Sequence, residues 1–173
     1  MDLASLVRNV PDFPKPGIQF KDVTTLLKNG PAFRAIIDGW KERYDGRDVD
    51  AVVGAEARGF IFGAALAYAM ALPFVPARKP GKLPAATFAQ EFELEYGTDS
   101  LEIHTDALAQ GDRVVLVDDL LATGGTMQAL CKLVERMGVE IVEIAFVIEL
   151  PPLNGRAKLE GYPVHTLVEF MVE

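Results

Sequence analysis

The stretch Val114–Met127, "VVLVDDLLATGGTM", is the most informative part of the sequence for the fold. Four apolar residues lead into the adjacent Asp118 and Asp119, and small residues then lead into a run with helical spacing. A continuously apolar run is typical of a central parallel strand that is covered on both faces. In open α/β sheets, ligands bind beyond the carboxyl ends of such strands. The sequence therefore predicts a binding site around the two aspartates.

The segment that follows the aspartates has the residues of a phosphate-binding loop. Its two glycines let the backbone approach an anion, and N–H groups at a helix start can hold a phosphate together with the Thr123 and Thr126 hydroxyls. The preceding carboxylates can accept hydrogen bonds from vicinal hydroxyls or bind a metal ion. A ribose 5-phosphate would therefore suit both the carboxylates, through its hydroxyls, and the loop, through its phosphate. Neither the P-loop pattern nor the dinucleotide pattern G-x-G-x-x-G occurs in the sequence.

Length, charge and cysteine content narrow the class of protein. The chain has 173 residues, half of them hydrophobic, which fits one domain with a sizeable core. Cys131 is the single cysteine of the sequence, so an internal disulfide is excluded. The sequence also has no signal-peptide pattern and no apolar run long enough to cross a bilayer. Together these observations predict a cytoplasmic protein without membrane partners. A net charge of −8 disfavours nucleic acid as a partner. It leaves room for a small phosphorylated ligand, which the basic segment 78–82, "RKPGK", could meet.

Strands that alternate with helices along the chain predict a parallel α/β sheet. We predict helices over residues 2–9, 31–44, 59–70 and about 127–138, and parallel strands over 50–55, 73–77, 113–118, 140–150 and 163–170. Residues 11–22 contain three prolines and a glycine, and predict an ordered loop. Even spacing of apolar residues over 86–104 predicts two antiparallel strands joined at residues 97–99.

The opening stretch resembles the 5-phosphoribosyl-1-pyrophosphate (PRPP) motif of the type I phosphoribosyltransferases. Four further segments resemble the adenine phosphoribosyltransferase family in the same order: "DFPKPGIQFKDVT" (12–24), "EARGFIFG" (56–63), "RKPGKLP" (78–84) and "LEYGTDSLEIH" (94–104). The resemblance covers nearly the whole chain. It implies the type I phosphoribosyltransferase fold, an α/β domain over residues 1–173 with a mainly parallel twisted sheet flanked by helices. A small N-terminal hood at about 1–30 and an antiparallel lid hairpin at about 85–105 complete that fold.

The activity implied by this resemblance is purine salvage, in which adenine and PRPP give AMP and pyrophosphate. The ribose becomes cationic in the transition state, so the enzyme must stabilise that cation, neutralise pyrophosphate and manage a purine proton. The implied cofactor is Mg²⁺, held mainly by PRPP oxygens and through water by the aspartates, with no direct protein ligand. The family also forms homodimers in which the basic loop reaches the neighbour's site.

The resemblance assigns a role to each candidate site residue. Asp118 and Asp119 hold the ribose hydroxyls and face the cation, and Glu95 manages the proton near purine N7. The 5-phosphate is held by Ala122, Thr123, Gly124, Gly125 and Thr126. The pyrophosphate is met by Arg58, Arg78, Lys79 and Lys82. The purine is held by the Phe20 and Leu120 side chains and by the backbone of Gln19 and Lys21, and Tyr96 closes over the ribose. The family also has a cis peptide at the position of Glu56–Ala57.

Other readings of these residues stay open at the sequence level. The basic segment could be a solvated loop, Phe20 could be core, and Glu95 could be an exposed carboxylate. His104 and His165 are too far apart in sequence to indicate a metal site, and Cys131 lies on the apolar face of a helix. Two other functions compete: a xanthine or hypoxanthine-guanine phosphoribosyltransferase, and a PRPP-sensing regulator that binds DNA. "FPKPGIQFKD" opposes the first, and the acidic charge opposes the second.

Overall fold

A five-stranded sheet forms the centre of the molecule in the computed structural model, which describes residues 1–94 and 96–171. The strands are β1 (Arg8–Pro11), β2 (Gln19–Asp22), β3 (Ala51–Ala55), β4 (Phe74–Ala77), β5 (Thr87–Glu93), β6 (Thr98–His104), β7 (Arg113–Leu121), β8 (Glu140–Glu149) and β9 (Val164–Glu169). The central sheet has the order β4-β3-β7-β8-β9 and all its pairs are parallel. Two antiparallel hairpins, β1–β2 and β5–β6, lie outside it. The predicted fold class is therefore confirmed.

Helices cover both faces of the sheet. They are α1 (Thr24–Leu27), α2 (Gly30–Tyr44), α3 (Arg58–Met70) and α4 (Gly125–Glu135), with short 3-10 segments at Ala4–Leu6, Pro151–Leu153 and Gly155–Leu159. Strand β7 alternates its side chains between two cores, as a strand between helical layers must. Leu116 belongs to the core that contains Leu130 of α4, whereas Val117 belongs to the core that contains Phe62 of α3. Among the described residues, no helix has the length and apolar character needed to cross a bilayer.

The N-terminal region differs from the sequence prediction. The helix expected over 2–9 is wrong, because only Ala4–Leu6 is helical and Arg8–Pro11 forms a strand. The loop expected over 11–22 holds only between the strands, since Gln19–Asp22 pairs with Arg8–Pro11. A side-chain hydrogen bond also links the two strands, with Arg8 as the donor and Asp22 as the acceptor. Such contacts between distant residues are invisible to local periodicity.

Two strand ends also lie elsewhere than predicted. Strand β7 runs to Leu121, three residues past the predicted end at Asp118, because Leu120 and Leu121 pair with the long strand β8. Thr98, expected in the turn of the second hairpin, opens strand β6 opposite Glu93. The two aspartates are thus held within a hydrogen-bonded strand, which fixes their backbone more firmly than a loop would.

Candidate active site

A cavity of about 440 Å³ lies at the carboxyl ends of β3 and β7. Its walls come from the two strand ends, the start of α4, the basic segment and the β5–β6 hairpin. The lining residues are Glu56, Ala57, Arg58, Lys79, Phe92, Leu94, Asp99, Leu101, Asp118, Asp119, Leu120, Leu121, Ala122, Thr123, Gly124, Gly125, Thr126, Met127 and Phe146. The structure therefore brings the whole segment from Asp118 to Thr126 to one cavity.

The two aspartates have different surroundings. The Asp118 carboxylate accepts a hydrogen bond from the Asp119 backbone N–H at 2.8 Å, whereas Asp119 pairs with Arg58, Nε to Oδ2 at 2.5 Å. Burial, and then the neighbouring Asp119 carboxylate, raise the pKa of Asp118 well above its ordinary value. A ligand that donates hydrogen bonds or carries positive charge would favour the ionised form of Asp118. The pair is thus suited to hydroxyls, a cation or both.

Gly59, which the sequence analysis did not single out, lets helix α3 start directly beside Asp118. A Cβ atom on Gly59 would lie 2.9 Å from the Val117 carbonyl oxygen and 3.0 Å from Asp118 Oδ1. The first distance is shorter than Cβ atoms show and the second is tight, so any other residue at this position would push the helix away from the strand. The signal was present in the "ARGF" segment, where glycine opens a helix. The approach places Arg58 within reach of Asp119.

Residues 122–126, here named the cradle, line the cavity and lead into helix α4. Gly124 has φ +85° and caps helix α4, and the Gly124 carbonyl accepts from Gln128 N–H at 2.9 Å. The N–H groups of the first helical turn have no carbonyl partner within the helix, which leaves them able to hold an anion. A Cβ atom on Gly124 would lie 2.6 Å from the Gly155 carbonyl oxygen. Glycine is thus required here both by its dihedral angle and by its close packing.

The basic segment divides its cations between two carboxylates. Lys79 lines the cavity and donates to Asp99 of the β5–β6 hairpin at 2.6 Å. Arg78 and Lys82 lie outside the lining and contact Glu56, at 3.3 Å and 2.7 Å. Burial opposes ionisation of Glu56, yet the contacts with Lys82 and the Lys79 N–H lower its pKa below the ordinary value. Glu56 thus fixes the path of this segment, a role that the sequence analysis missed.

Comparison with known proteins decides the family. The phosphoribosyl transferase domain family matches residues 22–166 of the chain. The adenine phosphoribosyltransferase of Chloroflexus aurantiacus is 60% identical over 98% of each chain. The solved adenine phosphoribosyltransferase of Thermoanaerobacter pseudethanolicus is 54% identical, with a TM-score of 0.94 and 98% of each chain covered. That of Trypanosoma brucei, solved in complex with AMP, pyrophosphate and ribose-5-phosphate, is 27% identical, with a TM-score of 0.90 over 96% of this chain and 77% of its own.

The chain belongs to the adenine phosphoribosyltransferase family. The family prediction is confirmed, as is the assignment of the chain to the phosphoribosyl-transferring enzymes. The relatives favour neither alternative considered from the sequence, the 6-oxopurine phosphoribosyltransferase or the PRPP-sensing regulator.

In this family member, the predicted purine-binding residues are only partly gathered at the cavity. Leu120 lines it, whereas Phe20 lies beside it, with its ring centroid 5.6 Å from Arg58 Cζ and 5.2 Å from the Phe13 ring. The side chains of Gln19 and Lys21 both bond to Asn9 of strand β1, at 2.8 Å each. The predicted roles of these two residues concern their backbone groups, so the side-chain contacts neither support nor contradict them.

The hairpin of this phosphoribosyltransferase supplies lining residues that the sequence did not indicate. Phe92, Leu94 and Asp99 face the cavity, whereas the Tyr96 side chain is 84% exposed and does not line it. The predicted proton-transfer residue Glu95 lies outside the described residues. The Glu56–Ala57 peptide is cis, as the family resemblance implied.

Cys131, His104 and His165 do not line the cavity. Cys131 is buried in the core, and burial raises the pKa of its thiol to about 12, so it stays protonated at neutral pH. His104 accepts a hydrogen bond from the Ala85 N–H at 3.3 Å. Within residues 1–94 and 96–171, no group of three or more His, Cys, Asp or Glu side chains is arranged to hold a metal ion.

Proposed function

We propose that this chain transfers the 5-phosphoribosyl group of PRPP to adenine and releases AMP and pyrophosphate, a reaction of purine salvage. The observation that carries the proposal is one cavity in which the carboxylates of Asp118 and Asp119 adjoin the N–H cradle of residues 122–126. A ribose 5-phosphate presents hydroxyls at one end and a phosphate at the other, which matches this order of groups. Relatives with this activity in their names match over nearly the full chain.

The charges around the cavity suit each part of the reaction. As the bond to pyrophosphate lengthens, positive charge grows on the ribose, and the neighbouring Asp118 and Asp119 carboxylates stabilise it. Arg58 and Lys79 lie within the same lining, where each is paired with a carboxylate, and we assign them to the pyrophosphate. Arg78 and Lys82 act through their contacts with Glu56, which hold the basic segment in place. The cradle of residues 122–126 anchors the 5-phosphate and so orients the reacting carbon.

Magnesium fits this donor set when the substrate supplies most of its ligands. Mg²⁺ commonly binds one or two carboxylates together with substrate phosphates and waters. Asp118 and Asp119 are two carboxylates at the cavity wall, and the described residues contain no group of three or more His, Cys, Asp or Glu side chains arranged to hold a metal ion alone. Bound there with PRPP, the ion would neutralise charge on the departing pyrophosphate. We therefore include Mg²⁺ as the cofactor.

We assign two accessory regions around the site. The β5–β6 hairpin, within residues 85–105, serves as a lid, since Phe92, Leu94 and Asp99 already form one wall of the cavity. The first 30 residues or so serve as a hood over the purine end, since Phe20 packs beside Arg58. The buried free thiol of Cys131 suits a reducing compartment, and we place the enzyme in the cytoplasm.

The direct test of the activity is product stoichiometry. Purified protein with adenine, PRPP and Mg²⁺ should form AMP and pyrophosphate in equal amounts. Omission of Mg²⁺ or its removal with EDTA should abolish most of the rate. Formation of pyrophosphate without AMP would indicate hydrolysis and would contradict the proposal.

Replacement of Glu95 by glutamine is expected to lower kcat more than it weakens PRPP binding, because the proposed role is proton management on the purine. The pH–rate profile should lose one limb as well. Glu93→Gln, an exposed carboxylate on the same hairpin, is the matched control and should leave both quantities unchanged. If Glu95→Gln has the kcat and pH profile of the unmodified enzyme, Glu95 has no part in the mechanism.

We propose a homodimer that forms through the outer face of helix α3. Ile61 and Tyr68, which lie two turns apart on this face, are 42% and 89% exposed, although both are large and apolar or aromatic. Such a stripe, next to the site residue Arg58, suits a second copy of the chain in a two-fold arrangement. Ile61→Glu should shift the sedimentation of the protein toward a monomer.

A mixing experiment tests whether Lys79 acts in its own chain or in the partner's site. The family resemblance implies a loop that reaches the neighbour, but Lys79 lines the cavity of its own chain. We therefore expect no activity when inactive Lys79→Ala and Asp118→Asn variants are mixed and reassembled, because every site then carries one lesion. If Lys79 instead acts across the interface, about half of the dimers are hybrids with one intact site, and roughly a quarter of full activity returns.

A further inference from the structure

The 3-10 segment Gly155–Leu159 packs against the back of the phosphate cradle. A Cβ atom on Gly155 would lie 2.4 Å from the Ala122 carbonyl oxygen, so the two backbones are in direct contact. The segment is also anchored at two further points. Leu159 is buried in the core, and Arg156 forms a two-fold contact with Glu149, at 2.7 Å and 2.8 Å. The position of this segment relative to the cradle is therefore fixed by packing and by charge.

The segment carries Lys158 to the first turn of helix α4. Its Nζ atom lies 3.7 Å from the point where a Cβ atom on Gly125 would stand, and its carbonyl accepts from Gln128 Nε2 at 3.3 Å. Gly125 both lines the cavity and begins the helix. The ammonium group thus lies beside the N–H groups that we assign to the 5-phosphate.

Among the described residues, Lys158 has no carboxylate partner within ion-pair distance. A helix N-terminus carries partial positive charge, so a cation beside it is unfavourable unless an anion lies between them. The other cations at the cavity, Arg58 and Lys79, are paired with Asp119 and Asp99. The phosphate cradle is therefore the end of the cavity where an added anion gains most.

We propose that Lys158 is a phosphate-binding residue of this site, one that recognises the 5-phosphate of the nucleotide through its charge. This inference rests on the proposed function, because that function places the 5-phosphate at the cradle. Under this proposal, different positively charged side chains bind the two phosphate-bearing ends of PRPP. Lys158 serves the 5-phosphate, and Arg58 and Lys79 serve the pyrophosphate. A consequence is that Lys158 raises the affinity for nucleotides over that for nucleosides and leaves the selectivity for the base unchanged.

Binding of AMP and of adenosine, measured by calorimetry, tests this role. Lys158→Met removes the charge and keeps an apolar stem of similar length. We expect it to weaken AMP binding about tenfold, the scale of one hydrogen bond to a charged group, and to leave adenosine binding unchanged. Lys158→Arg should keep most of the AMP affinity. Lys132→Met, an exposed lysine about 10 Å further along α4, should match the unmodified enzyme.

Three outcomes would overturn the inference in distinguishable ways. Equal AMP affinity in Lys158→Met and the unmodified enzyme would show that Lys158 does not contact the phosphate. An equal loss for AMP and adenosine would show that the residue supports the fold of the cavity and has no charge-specific role. If the unmodified enzyme bound AMP no more tightly than adenosine, the cradle itself would not be a phosphate site, and the proposed function would fail with the inference.

Discussion

Asp118→Asn is expected to lower kcat by on the order of a hundredfold or more, the scale seen when one preorganised stabilising group is removed from a transition state. The substitution keeps the shape of the side chain and removes the negative charge that, in the proposed function, stabilises the developing ribose cation. It also keeps the oxygen that accepts the Asp119 N–H at 2.8 Å, so the fold should be unaffected. Steady-state kinetics and thermal unfolding of the purified variant measure both effects.

Asp119→Asn should lower kcat comparably and should also raise the KM for PRPP, because Asp119 holds Arg58 at 2.5 Å in the cavity wall. Asp106→Asn, an exposed carboxylate that does not line the cavity, is the control and should leave both constants unchanged. Unaltered kcat in both site variants would show that the adjacent carboxylates are structural, and the account of the "VVLVDD" stretch would be wrong.

Selectivity for adenine is the second large effect. We expect kcat/KM for adenine to exceed that for hypoxanthine, guanine or xanthine by on the order of 10³ or more. Adenine carries an amino group at C6, which can donate a hydrogen bond to a backbone carbonyl of the Gln19–Lys21 region. A 6-oxopurine has an oxygen acceptor at that position. The purine oxygen and the backbone carbonyl would then face each other, and both would be buried without a hydrogen bond.

Competition between bases in one reaction gives this ratio without separate kinetic constants. Equal concentrations of the four bases with limiting PRPP should yield AMP almost alone, as resolved by chromatography of the nucleotide products. Phe20→Ala should lower adenine turnover without raising hypoxanthine turnover to the same rate, because we assign stacking on the purine to Phe20 and recognition of its edge to the backbone. Comparable amounts of IMP and AMP from the unmodified enzyme would contradict the assignment to adenine.

The sequence predicted those features that depend on local patterns. The continuous apolar run of β7 and the helical spacing of Leu130, Cys131 and Val134 in α4 each reflect burial, and the structure contains both elements. Their ends differ, since β7 runs on to Leu121 and α4 spans Gly125–Glu135. The cavity segment from Asp118 to Thr126 followed from the same reasoning, because parallel strands end at one edge of the sheet.

Features that depend on distant contacts could not be predicted in this way. Strands β1 and β2 pair over four residues and bring Arg8 to Asp22, 14 residues further along the chain. Strand β7 extends because β8 is long enough to pair with Leu121. The role of Glu56 depends on a basic segment more than 20 residues further along, which reaches it through the β3–β4 pairing. The approach of Gly155 to Ala122 is likewise a property of the assembled sheet.

A crystal structure of the enzyme with ribose 5-phosphate, pyrophosphate and Mg²⁺ tests the central claim most directly. The account predicts the 5-phosphate on the N–H groups of residues 123–126, within reach of Lys158, with the ribose hydroxyls toward Asp118 and Asp119 and the pyrophosphate toward Arg58 and Lys79. A 5-phosphate bound at the basic segment 78–82, with the aspartates turned away from the ribose, would contradict it.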